Sequence, residues 1–340
     1  MSSLRGTEYY YHLVLKRIPP RARPPFEDPD MQQRVWGRRW GVYNDVGTLR
    51  MCLLHRPGDE LKVMTADKYD PSIEALIDDR DQWYFRSDSP PDIPRMQEEH
   101  DALAGILEDH GVELVYVDGS PRNPNAMFVR DVAMIVPGGA IIGRTGPVGH
   151  EHGTGRRGEE RYVTQKLAEL GMPILRTVHG EGLMEGGSFC LLNEGHAVVG
   201  TSYRQNAAGV DQVRNVLEHL NIQLIELPLV GHSLHLDGCV VMVDHDKALI
   251  DINRIAYWFL DKLAQLGIQT IEVDPRDRGK VVNCLAIAPG KVVMCQEGSD
   301  WTADRLDRAG VEVIQTPFEE ISKNGGGIHC STLPLVRDAD

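Results

Sequence analysis

What most constrains this chain is a unit that keeps returning. From about residue 48 a short apolar run, an amphipathic helix and another apolar run follow one another: LRMCLLHRP, MQEEHDALAGILEDHG with its terminal Gly111, then VELVYV. The pattern returns as VAMIVPGGAIIGR, EERYVTQKLAELG and PILRTV, and again as SFCLLNEGHAVVGTS, GVDQVRNVLEHLN and IQLIELP. A fourth pass reads CVVMVDHDKALIDI, AYWFLDKLAQLG and IQTIEV, and a fifth CLAIAPGKVVMC, WTADRLDRAG and VEVIQTP. In the last four, two strands flank a tight turn (PGG, NEGH, HDK, PGK) and a helix ending at or near Gly or Asn leads to a closing strand. A period of roughly 50 residues marks a repeat architecture. Five such ββαβ units bury their sheet edges most economically by closing on themselves, so the expected fold is α/β, a five-bladed pseudo-symmetric propeller with the inter-unit loops converging on its axis.

Residues 1–44 stand outside this rhythm: KRIPPRARPPFEDPD is Pro- and Arg-rich, and reads as a loosely structured extension to a single domain over 45–340. Fifty acidic against 36 basic residues give a formal charge of −14, the wrong sign for a nucleic-acid or anionic-membrane partner. No apolar run approaches the ~18 residues of a membrane helix, and the N-terminus lacks a secretory h-region, so a cytoplasmic protein is expected. The six cysteines are scattered with no C-x-x-C pair, which suits free thiols, five in the core and one available for chemistry.

The junctions between units carry the polar residues. NPNAMFVRDVAM brings Asn125, Arg130 and Asp131 to the second unit, MEGGSFCL brings Glu185 to the third, GHSLHLDGCVV brings His235 and Asp237 to the fourth, and NGGGIHCST follows the fifth with Cys330. Taken singly, each has a plain structural explanation as a cap, a turn or a solvated loop residue. Together, at equivalent loops, they are candidates for one site. If the HLD segment is a strand, His235 and Asp237 share a face and the carboxylate favours a charged imidazole. Extended backbone would turn His329 and Cys330 to opposite sides, leaving His235 as the expected base for the thiol. The segment GHEHG supplies His150, Glu151 and His152, but no second cluster completes a metal site at recognisable spacing, so neither a metal nor another cofactor is expected.

The set FVRD, EGGS, HLD and GGGIHCST, in that order, resembles the guanidino-group modifying superfamily of arginine deiminase, dimethylargininase, agmatine deiminase and the amidinotransferases. The resemblance implies the same five-bladed propeller, with Cys330 as nucleophile, His235 as general acid and base, Asp131 and Glu185 gripping a guanidinium, and Asp237 orienting His235 or joining that grip. It implies that Asn125 binds substrate and that Arg204, in GTSYRQNAAG, binds a substrate carboxylate, assisted by Arg156 or Arg157 of GRRGEER. The expected activity is hydrolysis of a C–N bond in a small guanidino compound through an S-amidino intermediate on Cys330. The alternatives are amidino transfer to an amine, or hydrolysis of a ureido compound. Glu185 stands where transferases of the family tend to carry Asp, which tilts the choice to hydrolysis; Ser188, in place of the Asp usual in arginine deiminases, leaves the substrate open. No macromolecular partner is implied beyond a homodimer, the base-rate expectation for a soluble enzyme.

Overall fold

The computed structural model describes residues 3–18, 21–78, 83–119, 122–146 and 156–339. His150, Glu151 and His152 lie outside the described residues. The chain folds as a mixed α/β structure whose five large units match the sequence rhythm. In the second, Ala133–Val136 pairs antiparallel with Gly139–Ile142, which pairs parallel with Ile174–Thr177 after the helix Glu159–Glu169. The third (Phe189–Asn193, His196–Thr201, Gln223–Pro228), fourth (Val240–Asp244, Lys247–Ile250, Gln269–Glu272) and fifth (Leu285–Ala288, Lys291–Cys295, Glu312–Thr316) repeat this order. The first is assembled from both ends of the chain: Leu49–Leu54 pairs parallel with Glu113–Tyr116 and antiparallel with the C-terminal Leu333–Arg337.

In the second to fifth units the first-named strand is largely apolar and buried on both faces. Those runs therefore lack the alternation of a half-exposed strand. Leu333–Arg337, which plays the same part in the first unit, contacts Ala133–Val136, and the contacts continue from Phe189–Asn193 to Val240–Asp244 and on to Leu285–Ala288. The second and third units meet through the turns Val129–Val132 and Gly186–Ser188, and Leu49–Leu54 touches Leu285–Ala288, so the units neighbour one another in cyclic order. Each helix covers its unit with a few apolar residues; Tyr257–Gln265, for example, buries Phe259 and Leu263.

Two parts depart from the sequence expectation. The extension holds two short helices, Glu8–Leu15 capped by the Thr7 hydroxyl and Pro29–Trp36 capped by Asp28 with Pro29 in its first turn. It then returns to the body at Trp40 and Val42, both buried, with the Gly41 N–H donating to the Leu335 carbonyl at 3.2 Å. Between the first strand and its helix, an antiparallel sheet of Tyr69–Asp70, Ala75–Asp78 and Trp83–Phe85 has no counterpart in the other units. Among the described residues no helix is long and apolar enough to cross a membrane.

Candidate active site

Just before the first-named strand of every unit the chain makes a tight turn, and those turns meet. Val129–Val132 contacts Gly186–Ser188, which contacts Leu236–Gly238, and the three carry Asp131, the neighbouring Glu185, and Asp237. Asn283 precedes the fifth unit and Cys330 the C-terminal strand. A cavity of about 110 Å³ opens here, lined by Asp131, His235, Arg156, Arg204, Asn125 and Cys330 among others.

Glu185 is completely buried and its oxygens are fully used. It accepts from the Gly146 N–H at 2.8 Å, pairs with Arg204 Nε at 3.1 Å, and meets His235 Nε2 at 2.6 Å. Burial raises its pKa, but Arg204 and the hydrogen bond from His235 outweigh it and hold the carboxyl at about 2. His235 places Nδ1 3.2 Å from Asp131 Oδ1, an ion pair without hydrogen-bond alignment. Burial alone lowers the pKa of the imidazole; the charge of Asp131 and the hydrogen bond and charge of Glu185 reverse this and raise it, so the two carboxylates on either side favour the protonated ring. Asp131 Oδ2 is taken by Arg156, whose guanidinium also donates to Glu159 at 2.8 Å and to the Phe128 carbonyl at 2.9 Å.

Cys330 is 6% exposed. Its Sγ accepts from Asn283 Nδ2 at 3.2 Å and faces Asp237 Oδ2 at 3.3 Å, while its own N–H donates to Asn283 Oδ1 at 3.0 Å. Burial, followed by the Asp237 and Asp131 charges, pushes the thiol well above its ordinary range, and Lys280 pulls the other way. Burial raises the pKa of Asp237 too, but the hydrogen bond from His329 Nδ1, at 2.9 Å, prevails and holds it at about 2.

The geometry corrects several sequence expectations. HLD is a tight turn and not a strand, so His235 and Asp237 separate: His235 goes to Glu185 and Asp131, Asp237 to His329 and Cys330. Cys330 also lies in a turn, with the Ser331 N–H donating to the Gly327 carbonyl at 3.1 Å and the strand starting at Leu333. Without strand alternation, His329 and Cys330 reach the same carboxylate oxygen. Glu185 points into the protein, bound to His235 and Arg204, and does not line the cavity. Of the two adjacent arginines Arg156 turns in and Arg157 is exposed. Arg204 lines the cavity and pairs with Glu185 through Nε, with its buried Nη1 unpartnered among the described residues. Asn125 lines the cavity, its amide donating to the Asn324 carbonyl at 3.3 Å. Cys239 is buried outside the cavity, and all six cysteines are free.

Asp131, Glu185 and His235 offer ligand atoms within 4.8 Å of one another, close enough for a metal ion. Each is already engaged by a cation or by its neighbour, so the cluster is balanced as an ion-pair row and none is assigned as a ligand.

The turns tolerate little added bulk. A Cβ at Gly187 would come 2.3 Å from Asp131 Oδ1 and 2.8 Å from His235 Nδ1, and one at Gly326 would meet the Phe128 ring at 2.3 Å. Gly187→Ala is therefore expected to displace both side chains and cut kcat by about 10²-fold, with the far-ultraviolet spectrum of the native fold retained. A kcat close to that of the native chain would show that Asp131 and His235 need not stay where they stand.

Comparison with known proteins gives this site a family. The family model for eukaryotic N,N dimethylarginine dimethylhydrolase matches residues 81–337, well over half of the chain. The chain belongs to that family. It is 26% identical over 245 residues to the N(G),N(G)-dimethylarginine dimethylaminohydrolase of Pseudomonas aeruginosa, covering 72% of this chain and 89% of that one. It is 23% identical to an arginine deiminase of Bacillus cytotoxicus, covering 87% and 98%. Among solved structures, the Pseudomonas aeruginosa enzyme complexed with citrulline aligns with a TM-score of 0.66 at 22% identity, over 84% of this chain and 99% of that one. An amidinotransferase of saxitoxin biosynthesis from Microseira wollei gives 0.69 at 15%, over 88% and 98%; both likenesses concern the fold. Family and relatives place the chain in the guanidino-group modifying superfamily.

Four contributors are not announced by the sequence. Asn283 stands in KVVNCLAI at the fifth junction, and the junction pattern had only to be carried one unit further to find it. His329 reaches Asp237 because its segment is a turn, where an extended chain would turn it away from Cys330. Trp83 and Tyr84 line the cavity from the inserted sheet, which no repeat signal announces.

Proposed function

We propose that this protein is a cysteine-dependent hydrolase that cleaves a C–N bond of a small guanidino compound, with the five units arranged as propeller blades around the site. The observation that carries this reading is that Cys330, His235 and Asp131 line one cavity while Glu185 clamps His235 from behind. The catalytic unit is residues 45–340, preceded by an extension, and a cytoplasmic setting suits its free thiols.

A planar cation entering the cavity finds Asp131 Oδ1, which stands 3.2 Å from His235 Nδ1 but accepts no hydrogen bond among the described residues and so can accept one from a guanidinium N–H. Its charge would sit where Asp131 and Asp237 now oppose the thiolate, so substrate itself lowers the Cys330 pKa. The thiolate attacks the central guanidino carbon and gives a tetrahedral adduct. Protonated His235 gives its proton to the departing nitrogen; the C–N bond breaks and the amidino group stays on Sγ. Water, losing a proton to His235, then attacks the same carbon, the C–S bond breaks, and a urea-type product leaves. The unpartnered Arg204 Nη1 suits a carboxylate at the far end of the substrate, and Asn125 its polar stem. This favours guanidino acids and arginine-like compounds over amines such as agmatine.

A substrate panel tests this: arginine, methylated arginines, agmatine, ω-guanidino acids and citrulline-like ureas, with ammonia and amine release measured with and without an acceptor amine. Guanidino acids should be turned over without an acceptor. Amidino transfer only when an amine is supplied would overturn hydrolysis in favour of the transferase alternative, and release from ureas alone would move the substrate class.

A further inference from the structure

The row of charges around His235 leaves Cys330 outside it. Both ring nitrogens of His235 face carboxylates, whereas the thiol's polar neighbours are Asn283 and Asp237, from the fifth and fourth junctions. The Asp237 oxygen facing the thiol is also the oxygen that His329 Nδ1 binds. We infer that His329 is a positioning residue for the nucleophile: by donating to Asp237 Oδ2 it draws charge from the carboxylate oxygen facing Cys330, and so sets how readily the thiol ionises. The inference rests on the proposed function only in naming Cys330 the nucleophile.

His329 is well fixed for this part. It is 7% exposed, its N–H donates to the Asn283 carbonyl at 3.1 Å, and its own carbonyl accepts from Arg130 Nε at 3.4 Å. The same Asn283 holds the Cys330 N–H and sulfur, so one asparagine sets the register of both residues. Burial and then the Arg130 charge keep the imidazole's pKa low, while Asp237 and Asp45 work against them. In that neutral ring the Nδ1 position must carry the proton, because its partner is a carboxylate. The charged and titratable groups acting on the thiol are Asp237, Asp131 and Lys280, with the Tyr84 hydroxyl on the cavity side.

The sign follows. An unshielded carboxylate beside a thiol disfavours the thiolate, and a donor on that carboxylate weakens the effect. Loss of the His329 donor therefore raises the Cys330 pKa; loss of the Asp237 charge lowers it.

Iodoacetamide alkylation of Cys330, followed by peptide mass spectrometry across pH on the full chain without substrate, reads this directly. In His329→Leu the midpoint should move up by about one pH unit, making alkylation about tenfold slower below the midpoint. His329→Gln, whose amide can still donate, should stay within about threefold of the native rate. Asp237→Asn should move the midpoint down. A native midpoint in His329→Leu overturns the inference. If that variant does not give the native circular dichroism spectrum, an unmoved midpoint in Asp237→Asn overturns it instead. The assay needs no turnover, so it stands apart from the proposed function, which fails if Cys330→Ala still turns over substrate.

Discussion

Cys330→Ala is expected to lose turnover by at least about 10⁴-fold, as removal of a covalent nucleophile does in other enzymes. The residue sits at the closed end of the first unit, with Asn283 on its sulfur and the cavity in front. Alanine removes one sulfur from a turn whose backbone hydrogen bonds do not use it, so stability should change little. Acid quench of the native enzyme during turnover should leave an adduct on the Cys330 peptide, and Cys330→Ala should leave none. Comparable kcat in the variant, or no adduct in the native enzyme while other cysteines react, would remove Cys330 from the mechanism. The other five thiols make a sharp control. Cys52, Cys284 and Cys295 are pushed up to about 12, mainly by burial, and lie in the apolar clusters outside the cavity, Cys295 with a hydrogen bond to Glu297, so their replacement should affect packing and not chemistry.

The fold was legible where geometry is local and the site where it is periodic. Strands such as VAMIVPGGAIIGR announce themselves by apolar runs around a Gly turn, and helices by their terminal Gly or Asn; Asn221, at a φ of 58°, does for the third unit what Gly171, at 81°, does for the second. Pairing Leu49–Leu54 with Leu333–Arg337 could not be read from either segment, because nothing local links residues so far apart. In the site, the sequence placed Asp131, His235 and Cys330 together through equivalence of loops. It misjudged their partners for one physical reason: strand alternation was applied to HLD and IHC, and both are turns. One backbone state different from expectation reassigns the hydrogen bonds that follow from it: Asp237, expected to orient His235 or to join the grip on substrate, accepts from His329.

Glu185→Gln should separate the two halves of this site. The substitution keeps the volume but removes the charge that pairs with Arg204 and His235 at a position with no exposure. Leaving buried cations without their partner typically costs about 3–5 kcal/mol, so the variant should unfold at distinctly lower denaturant concentration. The native carboxyl titrates at about 2 against about 4.3 when unfolded, so its contribution to stability is present above pH ~4.3 and is lost as pH falls toward 2. The variant should lack that acid-side loss. His235 has the opposite sign: its raised pKa contributes stability below about 6.5, and that is lost as pH rises through the folded value. In the proposed mechanism the protonated imidazole releases the amine, so kcat should fall on the alkaline side as His235 loses its proton. Without Glu185 that fall should begin about one pH unit lower, and kcat at neutral pH should drop by about 10²–10³-fold, the usual scale of general acid catalysis. Asp131 remains beside Nδ1 and should prevent a larger shift. An alkaline limb that stays in place in Glu185→Gln would mean that Asp131 alone keeps His235 charged, and that Glu185 acts through Arg204.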